Sequence, residues 1–212
     1  MQVLKFGGSS LADARCLKQV SEIVRAELKE QMLLVLSAPG GMTDTLIELA
    51  QLAQSGSDYE QQWQQFFNRA HTLKAEIANE AGEPSHWPDF SALKQRLDGV
   101  ALLGICPEPV TAYVISFGER ISVALMQALL HDLGAHYLPA QEVVCSSGGY
   151  LDAEVDLEAS KLKFQQYLHA NPAKISIMPG FTAANEQCEL TTLGRNGSDY
   201  SAAVAAACLE AD

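Results

Sequence analysis

Gln2-Val3-Leu4-Lys5-Phe6-Gly7-Gly8-Ser9-Ser10 is an apolar run of strand length that stops at two glycines and two hydroxyl residues. A helix is expected after it, because Leu17, Val20, Val24 and Leu28 recur at three- and four-residue spacing on one face. Ser10 and Asp13 have the form of a capping box, with Asp in place of Glu. Met32-Leu33-Leu34-Val35-Leu36 follows as a continuous apolar run, the pattern of a strand buried on both faces of a parallel sheet. It breaks at Ser37-Ala38-Pro39-Gly40-Gly41, and Thr43 or Asp44 then caps a second helix running to Ala53.

The same alternation continues along the chain. Residues 59–103 read as helix in two or three pieces, with Trp63, Phe66, Phe67, Ala70 and Leu73 on one stripe and Leu93, Leu97 and Val100 on another, broken over 82–88. Residues 111–130 read as a helix interrupted at Gly118. Short strands are expected over 136–139 and 189–193 and a clearer one over 174–178, with a last helix over 198–209. Strands alternating with helices predict an α/β fold with a largely parallel sheet sandwiched by helices. An Ala-rich helix ought to lead to another strand, so the domain is expected to be truncated at its C-terminal side.

Charge and composition narrow the function. Fourteen Lys and Arg stand against 26 Asp and Glu in 212 residues, a net charge of −12, and no basic cluster appears that would neutralise a phosphate backbone. Nucleic acid is therefore an unsuitable partner. No run approaches the roughly 18 apolar residues of a membrane span, and residues 1–7 lack the form of a secretory leader. Cys16, Cys106, Cys145, Cys188 and Cys208 are odd in number and scattered, which suits reduced thiols and a cytoplasmic setting. His71, His86, His131, His136 and His169 have no ligand spacing, so no protein-held metal site is expected.

Three glycine loops at the ends of expected strands are the places where ligands bind in open α/β sheets. In the first, Gly7 and Gly8 allow close backbone approach to a phosphate and Lys5 brings a full positive charge. An ordinary tight turn with a surface lysine explains it equally well. The second, residues 37–43, suits a small carboxylate or phosphate, or is simply structural. In the third, Gly194-Arg195-Asn196-Gly197-Ser198-Asp199, the arginine can grip a carboxylate bidentately, while Ser198 or Asp199 can equally be a plain helix cap. Gly118-Glu119-Arg120 puts a charged pair inside an apolar helical run, so that stretch is either exposed or serves a ligand. Lys5 and two of the six arginines fall in these motifs, which concentrates cations for an anionic ligand on an acidic background.

Together these motifs resemble the amino-acid kinase family, and within it the aspartokinases. Lys5-Phe6-Gly7-Gly8-Ser9-Ser10, Leu36-Ser37-Ala38 with Thr43-Asp44, Gly118-Glu119, and the run from Leu193 to Ala202 look like its four successive signatures, in the same order and spacing. Asn196 and the Leu102-Leu103-Gly104-Ile105-Cys106-Pro107 stretch are most similar to the threonine-sensitive bifunctional aspartokinase–homoserine dehydrogenases. The resemblance covers essentially the whole chain. Ser9 departs from the commoner Thr.

The resemblance implies a carbamate-kinase-like fold and ATP-dependent phosphorylation of the β-carboxylate of L-aspartate, with Mg2+ accompanying the nucleotide. Lys5 and Asp199 would be catalytic. Ser37, Thr43, Glu119, Arg195 and Ser198 would bind the substrate, and Lys5, Gly7, Gly8, Ser9 and Gly197 the nucleotide phosphates. A homo-oligomer is expected. Residues 1–212 would form the N-terminal, aspartate-binding portion of the kinase domain. The nucleotide-binding half, regulatory ACT domains and dehydrogenase module would be absent, NADP belonging to that last module alone. The chain by itself is then expected to be inactive as a kinase. Two alternatives stand beside this reading: a related kinase acting on glutamate or acetylglutamate, and a non-catalytic aspartate-binding or dimerisation unit.

Overall fold

A computed structural model describes residues 1–211. Four parallel strands form the central sheet: β1 (Gln2–Phe6), β2 (Met32–Leu36), β6 (Ile175–Pro179) and β3 (His136–Tyr137), in that spatial order. Register is fixed by pairs such as Lys5 with Val35 and Val35 with Met178. Every residue of β2 and β6 is buried, β2 as a continuous apolar run and β6 with Ser176 alone among apolar neighbours.

Period-two alternation divides those strands between two cores. Leu34, Leu36, Ile175 and Ile177 face one layer of helices: α1 (Ala14–Glu27), α2 (Met42–Gln54), α3 (Glu60–Ala81), α4 (Phe90–Leu103) and α6 (Phe117–Leu129). Leu33, Val35 and Met178 face the other, which holds α7 (Ala140–Val143), α8 (Leu157–Ala170) and α9 (Gly197–Leu209). The sheet is thus sandwiched by helices. Truncating a fully buried residue such as Leu34 to Ala would cost about 2–5 kcal/mol.

Two small antiparallel pairs lie outside the sheet, β4 (Ser146–Ser147) with β5 (Glu154–Val155) and β7 (Thr182–Ala184) with β8 (Leu190–Thr192). The third glycine loop therefore leaves β8 of a hairpin rather than a strand of the main sheet.

Helix starts differ from the sequence expectation in an informative way. The chain after β1 makes a 3-10 turn (Gly8–Leu11), and Asp13 caps α1 by accepting from the Cys16 N–H at 2.8 Å, so the Ser10–Asp13 box does not form. Asp89 and Asp156 cap α4 and α8 in the same manner. Neither Thr43 nor Asp44 caps α2, and neither Ser198 nor Asp199 caps α9. Gly41 and Asn196, both in the left-handed region, hold those positions without a side-chain hydrogen bond.

The expected break at Gly118 lies two residues earlier. α5 (Glu108–Ile115) ends at Ser116, and Gly118 sits within α6. Its role is steric, because a β-carbon there would stand 2.6 Å from Cβ of Ala38. Glycine lets the first turn of α6 press on the loop that follows β2.

Candidate active site

The parallel strands all point their C-terminal ends at one edge of the sheet, so the loops after β1, β2 and β6 converge there. Main-chain bonds tie them together. Ser37 donates to the Phe6 carbonyl at 3.1 Å, Gly180 to Leu36 at 2.8 Å and Gly40 to Gly8 at 2.9 Å. A β-carbon on Gly8 would lie 2.9 Å from the Ala38 carbonyl oxygen, and one on Gly40 would lie 3.1 Å from the Gly8 oxygen. The two glycines let the loops pack backbone against backbone.

Around this floor lies a cavity of about 750 Å³, lined among others by Lys5, Gly8, Ser37, Thr43, Glu119, Arg195, Gly197, Ser198 and Asp199. Nine of the eleven residues singled out from the sequence thus share one wall. Gly7 and Ser9 do not line it. Gly7 lies beside the Lys5 amine, where an added β-carbon would be 3.4 Å from Nζ, and Ser9 borders a separate small hollow against α1.

Lys5 Nζ is ion-paired with Oδ1 of Asp199 at 2.6 Å, with the lysine side chain 25% exposed and the aspartate 66%. The pair links the end of β1 to the first turn of α9. The unfilled caps of α2 and α9 acquire a meaning here. Both helices begin at the cavity with a partial positive charge. Although Met42, Gly197 and Asp199 donate to turn carbonyls, the N–H groups of Thr43, Asp44 and Ser198 have no main-chain partner, an arrangement suited to anions.

Glu119 is 3% exposed and lines the same cavity, and its Oε2 has no hydrogen-bond partner. Burial raises its carboxyl to about 8, offset only in part by backbone N–H groups of Glu119 and Ala38 and by the Arg120 charge. A buried carboxyl with an orphan oxygen at a cavity wall fits a cationic group of a ligand. Arg120 turns elsewhere. Its guanidinium lies 4.4 Å from the centre of the Tyr113 ring, on which Arg96 also lies at 3.8 Å. The charged pair is therefore divided, with the acid at the cavity and the base in a cation–π stack.

Arg195 is exposed at the rim, with no carboxylate within ion-pair distance among the described residues. Its guanidinium is free for an anionic ligand.

Sequence reasoning missed several residues. Ile47, Ile115, Leu151 and Phe181 also line the cavity. Arg69 of α3 donates through Nη2 to the Gly40 carbonyl at 2.7 Å and to Ala12 at 3.3 Å, clamping the first two loops. Nothing in the local pattern around Arg69 signals that contact.

Comparison with known proteins agrees with this arrangement. A bifunctional aspartokinase/homoserine dehydrogenase of Buchnera aphidicola is 35% identical over 223 residues, covering all of this chain and 27% of that protein. One from Haemophilus influenzae is 34% identical over 223 residues, with the same coverage. This chain spans about a quarter of the length of these relatives. Escherichia coli aspartokinase III in complex with aspartate and ADP superposes with a TM-score of 0.79 at 25% identity, over the whole of this chain and 47% of that one. The family model described as the amino acid kinase family matches residues 1–212. With its glycine loops, its sheet and its cavity in that arrangement, the chain belongs to the amino acid kinase family.

Proposed function

We propose that this chain forms the acceptor and phosphoryl part of an aspartate kinase site, passing the γ-phosphoryl group of ATP to the β-carboxylate of L-aspartate. The observation that carries the reading is the placing of Glu119, with its orphan oxygen, in the same cavity as the unpaired guanidinium of Arg195 and the Lys5–Asp199 pair. An acidic amino acid has a cationic end and anionic ends, and the cavity offers buried Glu119 for the first and the guanidinium of Arg195 for a carboxylate, with Lys5 beside Asp199 left for the phosphoryl group.

In this reading ionised Glu119 accepts hydrogen bonds from the substrate ammonium. Arg195 holds a carboxylate, with Ser37, Thr43 and Ser198 donating or accepting beside it. Lys5 lies where charge builds on the phosphoryl group in flight, and Asp199 fixes its amine. Gly8 supplies a main-chain N–H for the phosphates, whereas the Gly197 N–H already donates to the Gly194 carbonyl at 3.1 Å, so Gly197 serves instead by letting the chain pass close to Phe181. Gly7 and Ser9, off the wall, act through the shape of the loop. Transfer needs no covalent intermediate, since it proceeds by positioning and electrostatic stabilisation. Mg2+ entering on the phosphates needs one or two protein carboxylates. Asp44 and Asp199 are the exposed cavity acids that would hold it, and the ion would neutralise phosphate charge.

The relatives named above as aspartokinases, and the aspartate and ADP of the superposed structure, support this choice of substrates. Residues 1–212 are accordingly the aspartate-binding part of a longer kinase. Five free thiols support a cytoplasmic setting, and the exposed apolar turn at Leu102, Leu103 and Ile105 supports self-association.

Calorimetric titration of this chain with L-aspartate, beside Arg195→Ala, tests the reading. Binding that the variant loses is the expected result. Equal binding of glutamate would move the assignment to another acceptor, and absence of aspartate binding at millimolar concentration would overturn it.

A further inference from the structure

Arg69 lies outside all the glycine loops and does not line the cavity, yet its guanidinium sits where two of those loops meet. Nη2 spans the carbonyls of Gly40, at 2.7 Å, and Ala12, at 3.3 Å. Gly40 belongs to the loop after β2, and Ala12 ends the 3-10 turn that follows β1. Its other arm is close to the start of α2, because a β-carbon on Gly41 would stand 3.9 Å from Nη1. No carboxylate lies within ion-pair distance of Arg69 among the described residues, so its fork is directed at main-chain oxygens.

This contact adds to the main-chain bonds between the loops at the point where no side chain caps α2. Gly41 begins α2 at φ +77 with no capping side chain, and Gly40 is tied to Gly8 by one main-chain bond. The direction in which α2 leaves the sheet decides where Thr43, in its first turn, meets the cavity. A planar guanidinium can bridge two carbonyls and still reach a third site, which the point-like ammonium of lysine cannot do at the same distances.

We propose that Arg69 is a positioning residue, which seats the loop after β2 on the loop after β1 and so sets Thr43 and the Gly40–Gly41 main chain for the acceptor. The acceptor half of this inference rests on the aspartate reading above, whereas the loop half stands without it.

Two measurements on this chain test both halves. Amide hydrogen exchange on Arg69→Ala should rise about tenfold or more at Gly40 and Met42, whose N–H groups donate to Gly8 and Pro39, the scale of losing a hydrogen bond to a charged donor, while β2 and β6 keep their protection. Added guanidinium ion at non-denaturing concentration should restore it. The aspartate dissociation constant should rise about tenfold in Arg69→Ala and in Arg69→Lys, and guanidinium should recover the alanine variant alone. Unchanged exchange at Gly40 overturns the inference. So does loss of protection throughout the sheet in both variants, without rescue, because Arg69 would then serve general stability. If wild type binds aspartate and both variants bind it as tightly, the acceptor half fails. If wild type binds no aspartate while Gly40 exchange follows the variants, the loop half stands and the aspartate reading is what fails.

Discussion

Lys5 Nζ and Asp199 Oδ1 lie 2.6 Å apart although the residues come from opposite ends of the chain, one closing β1 and the other in the first turn of α9. Both groups are partly exposed, so the pair is worth about 0–1 kcal/mol to folding. Its value lies in holding a cation at the mouth of the cavity. On the proposed kinase reading, Lys5→Ala in an aspartate kinase carrying this chain should lower kcat by about two to three orders of magnitude, the usual effect of removing one preorganised charge donor. Its thermal midpoint should change by no more than a few degrees. Steady-state kinetics beside a melting curve checks this, and a large melting shift with modest kinetic loss would assign Lys5 to structure.

Glu119 gives a pH dependence with a defined sign. Its folded value, about 8, lies above the ordinary 4.5, so the folded chain holds a proton that the unfolded chain releases. The stability tied to this carboxyl is complete below about pH 4.5 and is lost as pH rises through about 8. Glu119→Gln should flatten that fall in urea unfolding curves measured from pH 5 to 8.

The same carboxyl couples ligand binding to protons. An ammonium placed against Oε2 favours the ionised acid, so aspartate binding near pH 7 should release close to one proton, and Glu119→Gln should release none. Titrations in buffers of different ionisation enthalpy measure this directly. Zero release by wild type at pH 7 would mean that Glu119 does not meet the ammonium.

Gly118 tests the close approach of α6 to the site. Gly118→Ala would force a β-carbon to within 2.6 Å of Cβ of Ala38 and should destabilise by about 1–3 kcal/mol, as overpacking does. Moving the methyl by combining it with Ala38→Gly should recover part of the loss, because the clash lies between those two atoms. Urea midpoints of the two single variants and the double variant form the cycle that decides it.

Arg120 separates fold from function. Its stack on Tyr113 predicts that Arg120→Met lowers stability by about 0.5–2 kcal/mol and leaves aspartate affinity unchanged. A fall in affinity at constant stability would place Arg120 at the ligand instead.

Much of this was legible in the sequence for a simple reason. Residues 32–36 are apolar without interruption and 175–178 nearly so, with only Ser176 polar, so each must be covered on both sides, and a sheet between helix layers covers them. The glycine loops were legible as site elements because parallel strands deliver their ends to one edge. Helix α8 escaped because its inward stripe is broken by the polar Ser160 ahead of Phe164, Tyr167 and Leu168, while Leu157 and Leu162 are exposed. The break at Ser116 escaped because Gly118 is the stronger local breaker, and its tertiary contact with Ala38 overrides that preference. Arg69 escaped because its partners are 29 and 57 positions away, a separation that no local pattern encodes.

The loop floor where Gly8, Ala38 and Gly40 meet is made of main chain, and that divides the site into two kinds of material. Side-chain replacement there meets carbonyl oxygens at about 3 Å and has almost no room to vary. In the proposed aspartate reading the acceptor end would be built instead from Thr43, Glu119 and Arg195, each on its own element, α2, α6 and the turn into α9. A change of acceptor can therefore be made one side chain at a time over an unaltered floor. Redesign toward a longer or differently charged acid should begin at those three positions.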